Sequence, residues 1–128
     1  MKRVTGLGGV FFKAQNPKAI YAWYEKHLGI VPEHGFATFH WRDAENPEQK
    51  GMTLWTAFAQ DTKYFGTGPQ TVMMNYRVEN LDALVEVLKA EGVEIDPKRS
   101  DDEFGKFAWI TDPEGNRIEL WEPPKENT

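Results

Sequence analysis

The sequence predicts an α+β fold in which one unit, a strand, a helix and then further strands, is stated twice. Three observations carry that expectation. The order of predicted elements repeats across the 128 residues. Setting Asn16 against Asn80, an offset of 80 − 16 = 64, also brings Lys13 onto Arg77 and Phe12 onto Tyr76. Finally, Asp112-Pro113-Glu114-Gly115-Asn116 is a dense turn signal between two strand-like runs, Lys106 to Thr111 and Arg117 to Glu122, and so predicts a closing hairpin.

Each element follows from local chemistry. Val4 to Ala14 reads as a strand with Val10, Phe11 and Phe12 in an extended apolar run. Asn16 suits a helix N-cap and Pro17 the first helical position; Ile20, Trp23, Tyr24, His27 and Leu28 follow at helical spacing until Gly29. Phe36 to Trp41 and Met52 to Phe58 read as strands around a polar loop from Asp43 to Lys50. Gln60 to Pro69, with two glycines, reads as a linker. Thr71 to Val78 is then a strand, and Glu79-Asn80 opens a second helix whose stripe is Leu81, Leu84, Val85 and Leu88, closed by Gly92. Val93 to Ile95 and Phe107 to Ile110 are strands, with Ser100 to Glu103 a solvated loop between them. This gives a single domain over 1–128, with module one at 1–60, a linker at about 60–70 and module two at 71–123.

Composition narrows the function classes. Cysteine is absent, which removes disulfides and thiolate chemistry and fits a cytoplasmic location. A net charge of −5 argues against nucleic acid as a partner. Neither a signal peptide nor a transmembrane helix is read, so no membrane partner is expected. Gly6-x-Gly8-Gly9 lacks the third glycine of a dinucleotide fingerprint and precedes a strand, and neither a P-loop nor a Gly-x-Ser-x-Gly elbow occurs.

In the closing strand, Arg117, Glu119 and Trp121 share one face, with Ile118 and Leu120 on the other. A carboxylate in mid-strand between aromatic and aliphatic neighbours is either a site or a costly burial. Near the module ends the offset becomes 119 − 53 = 66, laying Thr53-Leu54-Trp55 on Glu119-Leu120-Trp121.

A duplicated strand-helix-strands unit ending in Asp112-Pro113-Glu114-Gly115-Asn116-x-Ile118-Glu119-Leu120 resembles the vicinal oxygen chelate superfamily: glyoxalase I, bleomycin-resistance proteins and extradiol dioxygenases. Asn16-Pro17 through Gly29 and Val78 through Leu84 add to the resemblance, which covers nearly the whole chain. It implies two βαβββ modules in a curved mixed sheet around a cup, and a homodimer. It also implies metal ligands at Gly9, Thr53, Met73 and Glu119, where only Glu119 is a good ligand for a hard or borderline divalent ion. His27 and His34 read as packed or solvated, while His40 could face the cup as a remote ligand.

By the same resemblance the cup would be lined by Gly9, Phe11 and Lys13, by Met73, Asn75 and Arg77, and by Thr53, Trp55, Trp109, Glu119 and Trp121. That is an aromatic pocket with a few convergent polar groups. Lys13 or Arg77 could bind an acid group, or pair with Glu119 in the vacated metal position. The expected function is binding of a small organic molecule, aromatic or acidic, with no cofactor and no catalytic metal. A metal-dependent lyase, isomerase or dioxygenase using Glu119 with His40, and a non-catalytic dimer module, are the alternatives.

Overall fold

A computed structural model describes residues 2–125. In chain order the elements are β1 (Val4–Ala14), α1 (Pro17–Leu28), β2 (Ala37–Arg42), β3 (Lys50–Ala59), β4 (Val72–Val78), α2 (Leu81–Ala90), β5 (Glu94–Asp102), β6 (Gly105–Thr111) and β7 (Arg117–Glu122). The strands form one mixed sheet in the order β2-β3-β1-β4-β7-β6-β5. The fold is the expected α+β arrangement, and its internal repeat is visible in the pairing. β1 runs parallel to β3 and β4 runs parallel to β7, while β1 and β4 meet antiparallel at the centre.

The two helices begin the same way. Asn16 and Asn80 each accept the backbone N–H three residues on, from Ala19 and Ala83, both at 3.1 Å. They differ in what they bury. α2 lays Leu81, Leu84, Val85 and Leu88 against Val78, Ala108 and Leu120, whereas no residue of α1 is fully buried. None of the described helices is long and apolar enough to cross a membrane.

Two expectations change. Module one contributes three strands rather than four: between Gly29 and β2 only an isolated bridge, Glu33 to Phe36, forms. Pro32 cannot donate to a ladder there, and His34 and Gly35 both adopt positive φ, which turns the chain. Ser100 to Asp102, expected as loop, instead extends edge strand β5 and pairs with β6 down to Asp102 opposite Gly105. The Asp102 side chain accepts the Phe104 N–H at 2.8 Å and Gly105 takes φ 118°, so a tight hairpin turn carries the pairing through charged residues.

Strand alternation sorts the sheet into two faces. Leu120 and Ala108 point to α2; Phe12 and Trp55 point to α1. On the helix-free face Phe11, Met73 and Trp109 form a second buried cluster together with Phe65, which comes from the connection between β3 and β4.

Candidate functional site

Glu119 sits in the middle of β7, beside Asn75 of β4 on one side and Trp109 of β6 on the other. Both neighbours share its face, because residues in register on adjacent strands point the same way. Glu119 is 1% exposed and Asn75 2%. Their contacts form a closed set of hydrogen bonds. The Asn75 amide donates to Glu119 Oε1 at 2.6 Å, and the Trp109 indole N–H donates to Oε2 at 2.9 Å. The Tyr64 hydroxyl donates to Oε2 as well. Three neutral donors therefore converge on one carboxylate.

Burial pushes the Glu119 carboxyl above its ordinary range, against the opposing pull of those three hydrogen bonds. Burial first, and then the adjacent carboxylate, push the Tyr64 phenol up, so it remains the donor in this pair.

The walls are aromatic. Tyr64 stacks on Phe58 with ring centres 5.4 Å apart and planes 7° apart, and stands edge-on to Trp109 at 6.3 Å. Phe58 also meets Phe11 and Phe65 edge-on. Cations ring this cluster: Lys13 lies over Phe65 at 5.5 Å, and Arg117 and Lys98 lie over Trp109 at 5.3 and 5.8 Å. Arg117 is also tied to Asp96 at 2.8 Å, which holds the Asp96 carboxyl below the usual range.

A bulge in β1 admits the carboxylate's partner. The β1–β4 register shifts between Leu7 and Gly9, and a side chain at Gly8 would sit 2.2 Å from Asn75 Oδ1. Glycine is required there by the approach of Asn75.

The sequence-predicted residues divide into four groups. Phe11, Met73, Asn75, Trp109 and Glu119 come together on the helix-free face, with Lys13 over Phe65 beside them. Trp55 does not join them. It packs on α1 through Tyr21 and Tyr24, because β3 alternation sets Leu54 and Phe58 toward the Glu119 cluster instead. Thr53 bridges strands: its hydroxyl donates to the Leu7 carbonyl at 2.5 Å and accepts the Trp41 indole N–H at 3.0 Å. Arg77 and Trp121, with His40, line a separate open cleft that does not include Glu119. Arg77 lies over the Trp41 ring at 5.7 Å, and Trp121 donates to the Phe104 carbonyl at 2.8 Å. The ion pair that Glu119 could have made with Arg77 or Lys13 is thus replaced by hydrogen bonds from uncharged donors.

Tyr64, Phe65 and Phe58 are what sequence reasoning missed. The first two lie in the segment read as a linker, and their signal was available: adjacent aromatics in a polar, glycine-containing connection have little reason to stay in water.

For a divalent ion at the position the family resemblance implies, the residues present do not fit. Glu119 is surrounded by donor hydrogens rather than lone pairs, Met73 is a thioether in an apolar cluster, and the Thr53 hydroxyl is committed to Leu7 and Trp41. Among the described residues no three His, Asp or Glu side chains gather to hold an ion.

Comparison with known proteins agrees with this fold. Structural similarity covers 98% of this chain and 92% of a methylmalonyl-CoA epimerase from Mycobacterium tuberculosis, at 22% identity and a TM-score of 0.64. A Streptomyces coelicolor methylmalonyl-CoA epimerase, solved with 2-nitronate-propionyl-CoA, is similar over 98% of this chain and 99% of its own, at 13% identity and a TM-score of 0.71. A Legionella pneumophila structure described as an NAD-dependent benzaldehyde dehydrogenase is similar over 91% of this chain and 98% of its own, at 16% identity and a TM-score of 0.59. At these identities the likeness is one of fold. No curated relative matches the sequence. The family model of the Glyoxalase/Bleomycin resistance protein/Dioxygenase superfamily matches residues 7–120, and the chain belongs to that superfamily.

Proposed function

We propose that the chain binds a small aromatic molecule, with or without an acid group, on its helix-free face, and that it does so without a catalytic metal. The observation that carries this reading is Glu119: a buried carboxylate held by three neutral donors and walled by aromatic rings. Such a carboxylate is a hydrogen-bond acceptor set among aromatic rings, and the cations around Phe65 and Trp109 offer places for an acid near it. We read 1–128 as one domain in which the 60–70 connection belongs to the site, and propose a cytoplasmic homodimer.

Two measurements on untagged protein test the reading. Metal analysis should return a substoichiometric content of zinc, nickel, manganese and iron. Thermal unfolding against a panel of benzoates and phenols should show at least one concentration-dependent rise; at one hundred times Kd the stabilisation is about 2.7 kcal/mol. Stoichiometric metal that disappears in Glu119→Gln would overturn metal independence. A flat panel would overturn binding.

A second reading is favoured by the upward push on the Glu119 carboxyl: an enzyme in which this group moves a proton. It predicts that Glu119→Gln retains ligand binding and loses all turnover.

A further inference from the structure

Residues 60–71, the connection between β3 and β4, cross the helix-free face as a strap. At one end the Thr62 N–H donates to the Ala59 carbonyl at 3.0 Å. At the other, the Gln70 side chain clasps the Arg117 backbone in both directions, donating at 3.1 Å and accepting at 2.7 Å, and Lys13 N–H donates to the Thr71 carbonyl at 2.9 Å. Between these anchors the Tyr64 N–H donates to the Thr62 hydroxyl within the strap at 3.2 Å, and among the described residues the hydrogen bond that ties residues 63–69 to the sheet is the one from Tyr64 to Glu119.

Neighbouring side chains on the strap do different things. Phe65 is fully buried and fixes the strap to the core. Tyr64 is 38% exposed, yet its hydroxyl ends on a carboxylate that is 1% exposed. Its ring is therefore a shaft leading from solvent to Glu119. It is stacked flat on Phe58, edge-on to Trp109, and hydrogen-bonded at its inner end, which is how a protein holds a bound aromatic.

We propose that Tyr64 is an internal stand-in for the ligand, and that the ligand is a planar phenol whose ring replaces Tyr64 on Phe58 and whose hydroxyl donates to Glu119 Oε2. The claim rests on the small-molecule reading above and narrows it. With Tyr64 withdrawn, Glu119 retains the Asn75 and Trp109 donors and presents one free acceptor down the shaft. An O–H donor satisfies that acceptor. A plain arene leaves it unpaired, and a carboxylate directed inward meets a like charge. An acid group on the same ligand consequently points outward, toward Lys13. Gly66, at φ 82°, follows the two aromatics and gives the strap a place to turn.

The test titrates 4-methylphenol, toluene, 4-hydroxybenzoate and benzoate by calorimetry into the wild-type chain, Tyr64→Ala and Tyr64→Phe. Removing the internal competitor should strengthen 4-methylphenol binding about tenfold or more in Tyr64→Ala, and each hydroxylated compound should exceed its hydroxyl-free partner by about tenfold, the worth of one hydrogen bond to a charged group. Tyr64→Phe keeps the ring and loses only its bond to Glu119. It should bind 4-methylphenol severalfold more tightly than wild type, so the proposal stays testable if the alanine variant does not fold. Weaker phenol binding in both variants would make Tyr64 a wall of the site and overturn the proposal, as would equal affinity for phenol and toluene. Those outcomes leave the broader reading standing, provided the wild type binds some aromatic. No binding by any of the three proteins overturns both.

Discussion

The two modules share a plan and differ in what they bury. α2 places four buried residues against the sheet, while α1, begun by the same Asn cap geometry, places none. In module two the last strand carries Glu119, sealed by three donors; Thr53, which the sequence offset of 66 lays on it, instead ties neighbouring strands together. In both halves the first strand runs parallel to the last, while the side chains those strands carry serve separate tasks. Module two buries the acid between Asn75 and Trp109, and module one supplies Phe11 and Phe58 as walls, followed by the strap that closes over them.

The sharpest way to break this contrast is to truncate matched helix positions. Ile20 and Leu84 are repeat mates at the offset of 64, one half-buried and the other 3% exposed. Leu84→Ala should destabilise the fold by about 3 kcal/mol, in the range for a sealed core leucine, and Ile20→Ala by about 1 kcal/mol. Urea denaturation of the two variants measures the difference. Equal losses would mean that α1 is as firmly seated as α2, and the division of labour would fail.

A smaller effect separates Glu119 from Thr53. Glu119→Ala leaves three inward donors without an acceptor, partly offset by relief of a buried carboxylate, and should cost about 2 kcal/mol; Thr53→Ala should cost about 1 kcal/mol. The pH dependence is more specific. Because burial raises the folded-state affinity of Glu119 for its proton, the folded chain holds more protons than the unfolded one between the ordinary glutamate range and the raised value. Its contribution to stability is complete below the unfolded pKa and declines as pH rises through that window. Glu119→Gln should remove this decline and still fold, since turning the Asn75 amide offers its otherwise unpartnered Oδ1 to the new NH2 group. Chemical denaturation from pH 4 upward, wild type against variant, reads the slope; parallel curves would show that Glu119 titrates as it does in the unfolded chain.

Much of this was legible in the sequence, for physical reasons that differ by element. The N-caps, the α2 stripe and the Asp112–Asn116 turn are local: Asp112 accepts the N–H groups of both Glu114 and Asn116, as a turn of that composition requires. Alternation along β7 placed Glu119 opposite Leu120, which set it on the helix-free face. What alternation could not supply was phase across strands. The family resemblance implies a place for Trp55 in the cup beside Glu119, but β3 and β7 do not keep the same phase relative to the core, and Trp55 lies on α1 while Trp121 lies beside Arg77. The strap was harder still. Tyr64 reaches Glu119 across 55 positions, and no periodic signal marks a side chain that crosses a sheet from an irregular connection.

The smallest effect concerns the caps, and it separates local from global stability. Asn16→Ala and Asn80→Ala each remove one side-chain acceptor from a helix N-terminus, worth about 1 kcal/mol in either case. The consequences should nevertheless differ. The α2 first turn carries Leu81, fully buried and with its N–H held by the Glu122 carboxylate at 2.8 Å, so loss of its cap is felt by the whole fold. α1 has no buried residue in its first turn, and can fray there without opening the core. Asn80→Ala should therefore shift the global urea midpoint. Asn16→Ala should leave that midpoint nearly unchanged while accelerating amide hydrogen exchange in residues 19–21. An equal midpoint shift in both variants would show that α1 unfolds only with the rest of the molecule, and the looseness of module one would then be confined to its side chains.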